Sequence, residues 1–397
     1  MGRTIRVVVV GAGIGGLTAA AALRQRGFEV QVHERATELG EVGAGLQLAP
    51  NAVKVMRALG LEESLRRVSS EPVTWVSLKW DDASLRFREP LLGGQDAEFG
   101  APYLMAHRAD LHRLLQGLVP ESWVRLGAEC VGASSSDCGA VARFADGSEA
   151  EGDAVIGADG IRSAVRESLF GADAPRFTRQ ICWRAMIPID CVPTDIGPGG
   201  SVRVERGEYV GWIGPTGHVI CYPIRAGTIY NIFAGRVSDA WAEESWSVPS
   251  SREEMIEAYS GWNDALLGMF RRVEHCFKWG IHDRDPLPTW TRGRVTLLGD
   301  AAHPMMPTLA QGAAISIEDG YALARNLARH ETDIRAGPMA YDTERAPRAG
   351  RVQLQARQQF ENNRKIPAPP PLDRGWIFAH DATGDPDPAA HPAEPAR

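Results

Sequence analysis

Three turns in this chain carry the residue types that recognition of phosphates and hydroxyls requires. The first is Gly11-Ala12-Gly13-Ile14-Gly15-Gly16, set between a β-branched block at residues 5–10 and an Ala/Leu-rich segment at residues 17–26 that stops at Gly27. A strand, a tight turn and a helix in that order aim unpaired N–H groups and the positive end of the helix dipole at an anion. Gly11 allows the turn, Gly13 lets the backbone approach a pyrophosphate, and Gly16 lets helix and strand pack closely. Residues 28–33 read as a second strand ending at Glu34, whose carboxylate suits ribose hydroxyls. That chemistry is dinucleotide binding. A glycine-rich turn without a ligand is the plainer reading, and the strand–helix–strand–acid context argues against it.

The second turn is Gly-Ala-Asp-Gly-Ile-Arg-Ser-Ala-Val-Arg at residues 157–166, and the third is Leu-Gly-Asp-Ala-Ala-His-Pro at residues 298–304. Each follows a short apolar strand and puts a carboxylate, Asp159 or Asp300, at a strand's C-terminal mouth, where open α/β sheets bind ligands. Either aspartate is also a sensible helix cap.

The elements that must position these turns alternate along the chain. Residues 51–59, 110–118 and 312–328 have helical periodicity, and residues 140–144, 154–156 and 294–298 read as strands. Beyond residue 177 the texture becomes β-rich, with residues 209–213, 218–222 and 228–233 separated by turn residues, which predicts an antiparallel sheet bordered by helices at 252–259 and 265–271. The reading is α/β: a Rossmann-like nucleotide domain interrupted by a β-rich module. Its segments are 1–72, 100–176 with 286–366, the last carrying the C-terminal helices, and the module is 73–99 with 177–285. Residues 367–397, Pro/Ala-rich, suit a loose tail. The arginine-rich stretch 345–364 is predicted to be the solvated face of a helix.

Composition narrows the function classes. The 397 residues carry 43 Lys+Arg against 50 Asp+Glu, net −7, which gives no global reason to bind nucleic acid. The six cysteines form no C-x-x-C pair, so no structural metal site is expected, and a reducing compartment fits. The uncharged run 7–23 behind Arg3 and Arg6 has the outline of a signal peptide, but four glycines interrupt it and its pattern changes from strand to helix. A soluble, cytoplasmic protein without a membrane partner is expected.

Taken in order, the three turns resemble the class A flavoprotein aromatic hydroxylases, the salicylate-, hydroxybenzoate- and 6-hydroxynicotinate-type monooxygenases. The likeness includes GEVGAGLQLAPN at residues 40–51, HRADLH at 107–112 and QGAAISIED at 311–319. It implies the GR2-type FAD-binding fold with an inserted substrate domain, bound FAD, and NADH or NADPH as a transient co-substrate. By this resemblance Gly11, Gly13, Gly16, Glu34 and Arg35 hold the ADP half with Arg108 alongside. Asp300 binds the ribityl chain, and the helix start at Gly312 and Ala313 faces the isoalloxazine. Asp159 belongs to the motif linked to both FAD and NAD(P)H. Gln47, where hydroxynicotinate-type members have a histidine, is grouped with the cofactor residues. A homodimer is a further implication.

Such enzymes oxygenate an electron-rich ring through a flavin C4a-hydroperoxide, with O2 as co-substrate, and need a dry pocket and a base for the phenol. The resemblance points to His218 with Tyr222; four residues apart on a strand, they share a face. The plainer reading makes His218 a turn residue after Gly217 and Tyr222 a core aromatic. Pro307 and Thr308 are expected to border the substrate, and His303 to orient its turn. A substrate carboxylate calls for an arginine; Arg184, Arg225 and Arg236 are candidates, each also readable as a surface charge. The resulting expectation is hydroxylation of a small phenolic aromatic acid. The alternatives are another aromatic or secondary metabolite, or a flavin-binding redox module without turnover.

Overall fold

Strands that can be buried on both faces need continuous apolar runs, and Val7–Val10 is one. In the computed structural model these residues are at most 2% exposed, at the centre of a six-stranded sheet. The structure describes residues 4–40, 44–72, 74–90, 95–239, 248–363, 365, 369 and 372–384. Most of the expected proline cluster at 367–371 and the tail from 385 therefore lie outside the described residues.

The sheet runs Thr291–Arg292, Val295–Leu297, Ala154–Gly157, Arg6–Val10, Glu29–His33, Val124–Arg125. All its pairings are parallel except the first. The parallel strands therefore end on one edge. Val10 is in register with Gly157 and with His33, and Gly157 with Leu297. The helices Ile14–Gln25 and Gly312–Arg329 pack against each other over this sheet, and the helix Ala336–Asn363 packs on the second of them.

A second sheet has eight strands in the order Val248–Ser250, Cys276–Asp283, Arg176–Pro188, Ile229–Val237, Gly217–Ile224, Tyr209–Gly214, Thr74–Lys79, Leu85–Pro90. It is not wholly antiparallel as the turn spacing suggested: Tyr209–Gly214 runs parallel to Thr74–Lys79, because that strand arrives from far earlier in the chain. Period-2 alternation divides its residues between two faces. Trp183, Val210, Trp212, Val219, Cys221 and Ile232 are buried in a core with Met255, Leu266 and Phe270, from the helices Arg252–Ala258 and Asp264–Phe270. The opposite face carries Arg184, Tyr209, His218, Ile220, Tyr222, Asn231 and Phe233, and Tyr222 belongs to the core shared with the first sheet.

The two sheets are tied at the strand Gly45–Leu48, which pairs with Leu104–His107. The Gly45 N–H donates to Asn231 Oδ1 at 2.8 Å, and Arg184 Nη1 donates to the Gly45 carbonyl at 3.0 Å. A Cβ on Gly45 would stand 2.5 Å from Asn231 Cγ, so only glycine permits this contact.

The arginine-rich stretch 345–364 is a solvated face only in part: Arg351 is exposed, but the first two arginines turn inward. Arg345 is 0% and Arg348 5% exposed, and both are ion-paired inside the protein. Charge content misled here because the carboxylates that bury these arginines come from a different helix.

Candidate active site

All four strand-end turns on the shared edge are stitched by backbone bonds. Gly11 N–H donates to His33 O and Ala158 N–H to Val10 O, each at 2.7 Å, and Leu298 N–H donates to Gly157 O at 2.9 Å. Gly11 has φ +104°, and a Cβ there would lie 2.3 Å from Ala158 O; a Cβ on Gly16 would lie 2.0 Å from Gly11 O. These two glycines are thus required by contacts within the fold. Over Gly13, by contrast, a Cβ would meet nothing within 4 Å, which leaves room for a ligand.

The helix Ile14–Gln25 has no side-chain cap, so its first N–H groups point at that space. The helix Gly312–Arg329 likewise has no side-chain cap, and Gly312 and Ala313 are only half-buried. Glu34 Oε2 accepts from Ala12 N–H at 2.7 Å and Oε1 from Ala36 N–H at 2.9 Å, which fixes the carboxylate beside the glycine turn. A carboxylate oxygen so held retains a lone pair for a hydroxyl donor. His112 grips the same turn through Ala12 O at 2.7 Å. Arg35 is exposed just beyond Glu34.

Asp159 and Asp300 differ. Asp159 accepts from Ser163 Oγ at 2.5 Å and Val165 N–H at 3.2 Å, so its carboxylate shapes the loop before the helix Ala164–Phe170, as a cap does. Asp300 is hydrogen-bonded to no described residue although it is half-buried. Burial raises its pKa, opposed by His303 and Arg108. Arg108 in turn donates its backbone N–H to Ala44 O at 2.9 Å, next to the Gly45 tie.

Arg166, which the sequence reading gave no role, and His303, expected to orient its turn, join these turns. Arg166, the last residue of the second turn motif and 3% exposed, donates Nη1 to Ala301 O and Ala302 O at 3.2 and 3.1 Å. His303 is fully buried and bonds Asp319 Oδ2 at 2.5 Å. Arg345 holds Asp319 at 2.8 Å and Glu318 at 2.6 Å, and Arg348 grips Glu318 with two bonds of 2.8 Å. Burial alone would raise the Glu318 pKa, but Arg348 and Arg345 outweigh it and hold it far below the usual carboxylate range. This ionic cluster anchors the Gly312–Arg329 helix behind its N-terminus.

On the second sheet, His218 and Tyr222 share the face turned to the Gly45 tie, with Ile220 between them. His218 stacks on Phe233 at 5.6 Å, and Tyr222 on Tyr209 at 5.8 Å with the rings 4° from parallel. Burial lowers the His218 pKa to about 4, with no charged neighbour contributing, so the imidazole is neutral near pH 7. Burial raises the Tyr222 pKa, opposed by the Arg184 guanidinium beside it and by Gln47.

Gln47 does not lie with the glycine turns. It accepts from Tyr103 Oη at 2.7 Å and also meets Tyr209 and Tyr222. Of the three arginines, Arg184 reaches this face. Arg225, itself exposed, pairs with Asp110, and Arg236 donates to Ala258 O. Thr308 Oγ1 donates to Ala356 O at 2.5 Å, which fixes the turn Pro307–Leu309 and leaves Pro307 outward. Tyr209 and Tyr103 escaped the sequence reading, and Arg184 could not be singled out from Arg225 and Arg236, because strand pairing, not spacing, places Arg184 and Tyr209 on this wall.

The parallel sheet with its uncapped helix starts, acid at the second strand and unpaired Asp300 defines a dinucleotide-binding α/β protein. The residues present fit FAD. The chain belongs to the FAD binding domain family, which it matches over residues 4–356. It is 37% identical over 390 residues to the 3-amino-4-hydroxybenzoate 2-monooxygenase PtnB3 of Streptomyces platensis, covering 95% of this chain and 96% of that one. It is also 37% identical over 358 residues to the 6-hydroxynicotinate 3-monooxygenase of Pseudomonas fluorescens, covering 89% and 90%. A salicylate hydroxylase substrate complex superposes with a TM-score of 0.80 at 27% identity, covering 96% of each chain. The protein is an FAD-dependent monooxygenase. Among the described residues no helix is long and apolar enough to cross a membrane.

Proposed function

We propose that this enzyme hydroxylates a small phenolic aromatic acid, using NADH or NADPH and O2. The observation that carries this reading is the wall of His218, Phe233, Tyr222 and Arg184, joined through the Gly45 tie to the turns that would hold FAD. It is supported by the relatives named for aminohydroxybenzoate and hydroxynicotinate.

In this reading Gly11, Gly13 and Gly16 admit the pyrophosphate, Glu34 and Arg35 the adenosine end, and Asp300 and Arg108 the ribityl region. Gly312 and Ala313 offer N–H donors to the ring system, and Asp159 shapes its own loop. Gln47 belongs to the substrate side. When bound and reduced, the flavin activates O2 and delivers one oxygen atom.

His218, neutral and desolvated, accepts a hydrogen bond from the phenol and orients it. With a pKa of about 4 it takes the proton uphill. The phenol proton therefore passes to His218 only as negative charge is drawn from the phenol oxygen into the ring, rather than leaving fully beforehand. Tyr222 is a donor at neutral pH, since burial pushes its ionisation up. The aromatic wall excludes water, and Pro307 and Thr308 border the ring.

The segment division given above is proposed as two units, nucleotide and substrate. A cytoplasmic setting is proposed on the six cysteines, all unpaired in the structure. The homodimer implied by resemblance would be read by sedimentation. The test of function is NADH and NADPH oxidation by FAD-loaded enzyme with phenolic acids, quantifying hydroxylated product and peroxide. Acid-stimulated oxidation with product incorporating one atom of labelled O2 is expected. Oxidation yielding only peroxide with every acid, or full retention of product formation in His218→Ala with Tyr222→Phe, would overturn it.

A further inference from the structure

Arg184 is a guanidinium whose charge no described carboxylate answers. It rises from the middle of the strand Arg176–Pro188, in register with Phe233 on one side and Phe277 on the other. Nη1 donates to Gly45 O at 3.0 Å, and the group lies 5.3 Å from the Phe233 ring and 5.2 Å from that of Trp279. Nε is buried without an acceptor. The contrast with Arg345 and Arg348 is direct: those buried arginines are each paired to carboxylates.

Arg184 is half-buried, and a guanidinium partly withdrawn from water with so few partners is completed well by an anion. Its remaining neighbours are neutral. The Tyr222 hydroxyl and Gln47 amide stand beside it, and Tyr209 stacks on Tyr222. On the same face, two positions from Ile220, His218 stacks on Phe233 with no charged group acting on it. One end of this wall is therefore cationic and rich in donors, and the other is neutral and accepting. His218 and Tyr222 stand four positions, roughly 13 Å of backbone, apart, and Arg184, level with Ile220 through Phe233, rises between their levels with its guanidinium against Tyr222.

We propose that Arg184 is the substrate-binding residue that receives the aromatic acid's carboxylate on the part of its guanidinium that Gly45 O does not occupy, with Tyr222 as adjoining donor. The ring lies along Phe233 and the phenol hydroxyl reaches His218. This divides the pair His218 and Tyr222 between opposite ends of the substrate, and it rests on the phenolic-acid reading above. A guanidinium matches a carboxylate in a planar fork that a carboxamide cannot reproduce.

The test titrates FAD-loaded enzyme with 3-hydroxybenzoate, 3-amino-4-hydroxybenzoate and 6-hydroxynicotinate, and with the matching carboxamides, following the flavin absorbance. Wild type is expected to bind at least one acid about 50-fold or more tighter than its amide. In Arg184→Gln the acid weakens about 30-fold or more while the amide stays within threefold, so the preference disappears. Arg184→Lys, which keeps charge but loses the fork, is the second variant should the first not fold; it should weaken the acid about 5- to 10-fold and leave the amide alone. FAD affinity should stay within about threefold in both, and Tm within about 2 °C, as expected for the loss of one hydrogen bond to Gly45.

Persistence of the acid preference in Arg184→Gln overturns the assignment. So does equal weakening of acid and amide, or loss of FAD, which would make Arg184 a strap on Gly45. Wild type that binds neutral aromatics but none of the acids refutes the phenolic-acid reading itself, and this proposal with it.

Discussion

Replacing Arg345 with Met should destabilise the enzyme far more than a surface substitution. The side chain is 0% exposed and is paired to Asp319 at 2.8 Å and Glu318 at 2.6 Å, both themselves 0% exposed. Methionine keeps the unbranched apolar stem and carries no charge, so the variant loses the ion pairs while filling much of the same channel. Glu318 keeps its two 2.8 Å bonds from Arg348, but Asp319 retains only His303. Removing one partner of a buried pair typically costs about 3–5 kcal/mol because a charge is stranded. With an unfolding entropy of roughly 2 cal/mol/K per residue over 397 residues, Tm should fall by about 4–6 °C. The assay is thermal unfolding of Arg345→Met, Asp319→Asn and the double variant. Because the stranded charge is absent in the double variant, its loss should be smaller than the sum of the singles by more than about 1 kcal/mol. Additive losses, or a single-variant Tm within 1 °C of wild type, would refute the reasoning that this network is one coupled unit.

Gly16→Ala places a methyl 2.0 Å from Gly11 O, a backbone atom that cannot yield without moving the turn, so FAD affinity should drop at least tenfold and stability by about 2–3 kcal/mol; an FAD titration with unchanged affinity would contradict this. Arg166→Gln frees the carbonyls of Ala301 and Ala302, and should weaken FAD binding while leaving far-ultraviolet circular dichroism intact; unchanged affinity would show that Asp300 needs no such support. His33 has both ring nitrogens buried without partners, stacks 4.5 Å from Phe144, and is lowered to about 4 by burial and by Arg125. Its contribution is full above the unfolded pKa near 6.5 and is lost as pH falls towards 4, up to about 3 kcal/mol. His33→Phe should therefore match or exceed wild type in Tm at pH 7.5 and lose less between pH 7 and 5; a parallel acid loss would exclude His33 as a source.

The nucleotide half was legible because its signals are local. Glycine spacing, an acid after the second strand and an apolar run before each turn dictate backbone geometry within a few residues. The substrate half was not, since its face is assembled by pairing strands distant in sequence. His218 and Tyr222 could be placed on a common face by parity alone. That Arg184 joins them depends on the register of Arg176–Pro188 with Ile229–Val237, which spacing does not encode. Gln47 shows the same limit. It lies in the strand that follows the nucleotide motifs, yet its partners are tyrosines from the other sheet and from the strand Leu104–His107's approach. The arginines at 345 and 348 failed in the opposite sense, since a polar stretch was read as solvated when its counter-charges lay on a neighbouring helix.

The charge arrangement also bears on how the two halves cooperate. Beneath the nucleotide turns the carboxylates Glu318 and Asp319 are matched by Arg345 and Arg348, so that layer is electrically closed and rigid. Facing the site, Asp300 hydrogen-bonds no described residue, with Arg108 acting on it only electrostatically, and Arg184 pairs with no described carboxylate. An unpaired carboxylate suits hydroxyl donors and an unpaired guanidinium suits an anion, so the two open valences select chemically different ligands. The peptide of Gly45, gripped by Arg184 and Asn231 on one side and preceded by Ala44, which Arg108 holds, is the covalent link between them. A change in Arg184 therefore acts on substrate first and reaches the nucleotide turns only by pulling on that peptide, which is why acid preference and FAD affinity are separable readouts in this enzyme.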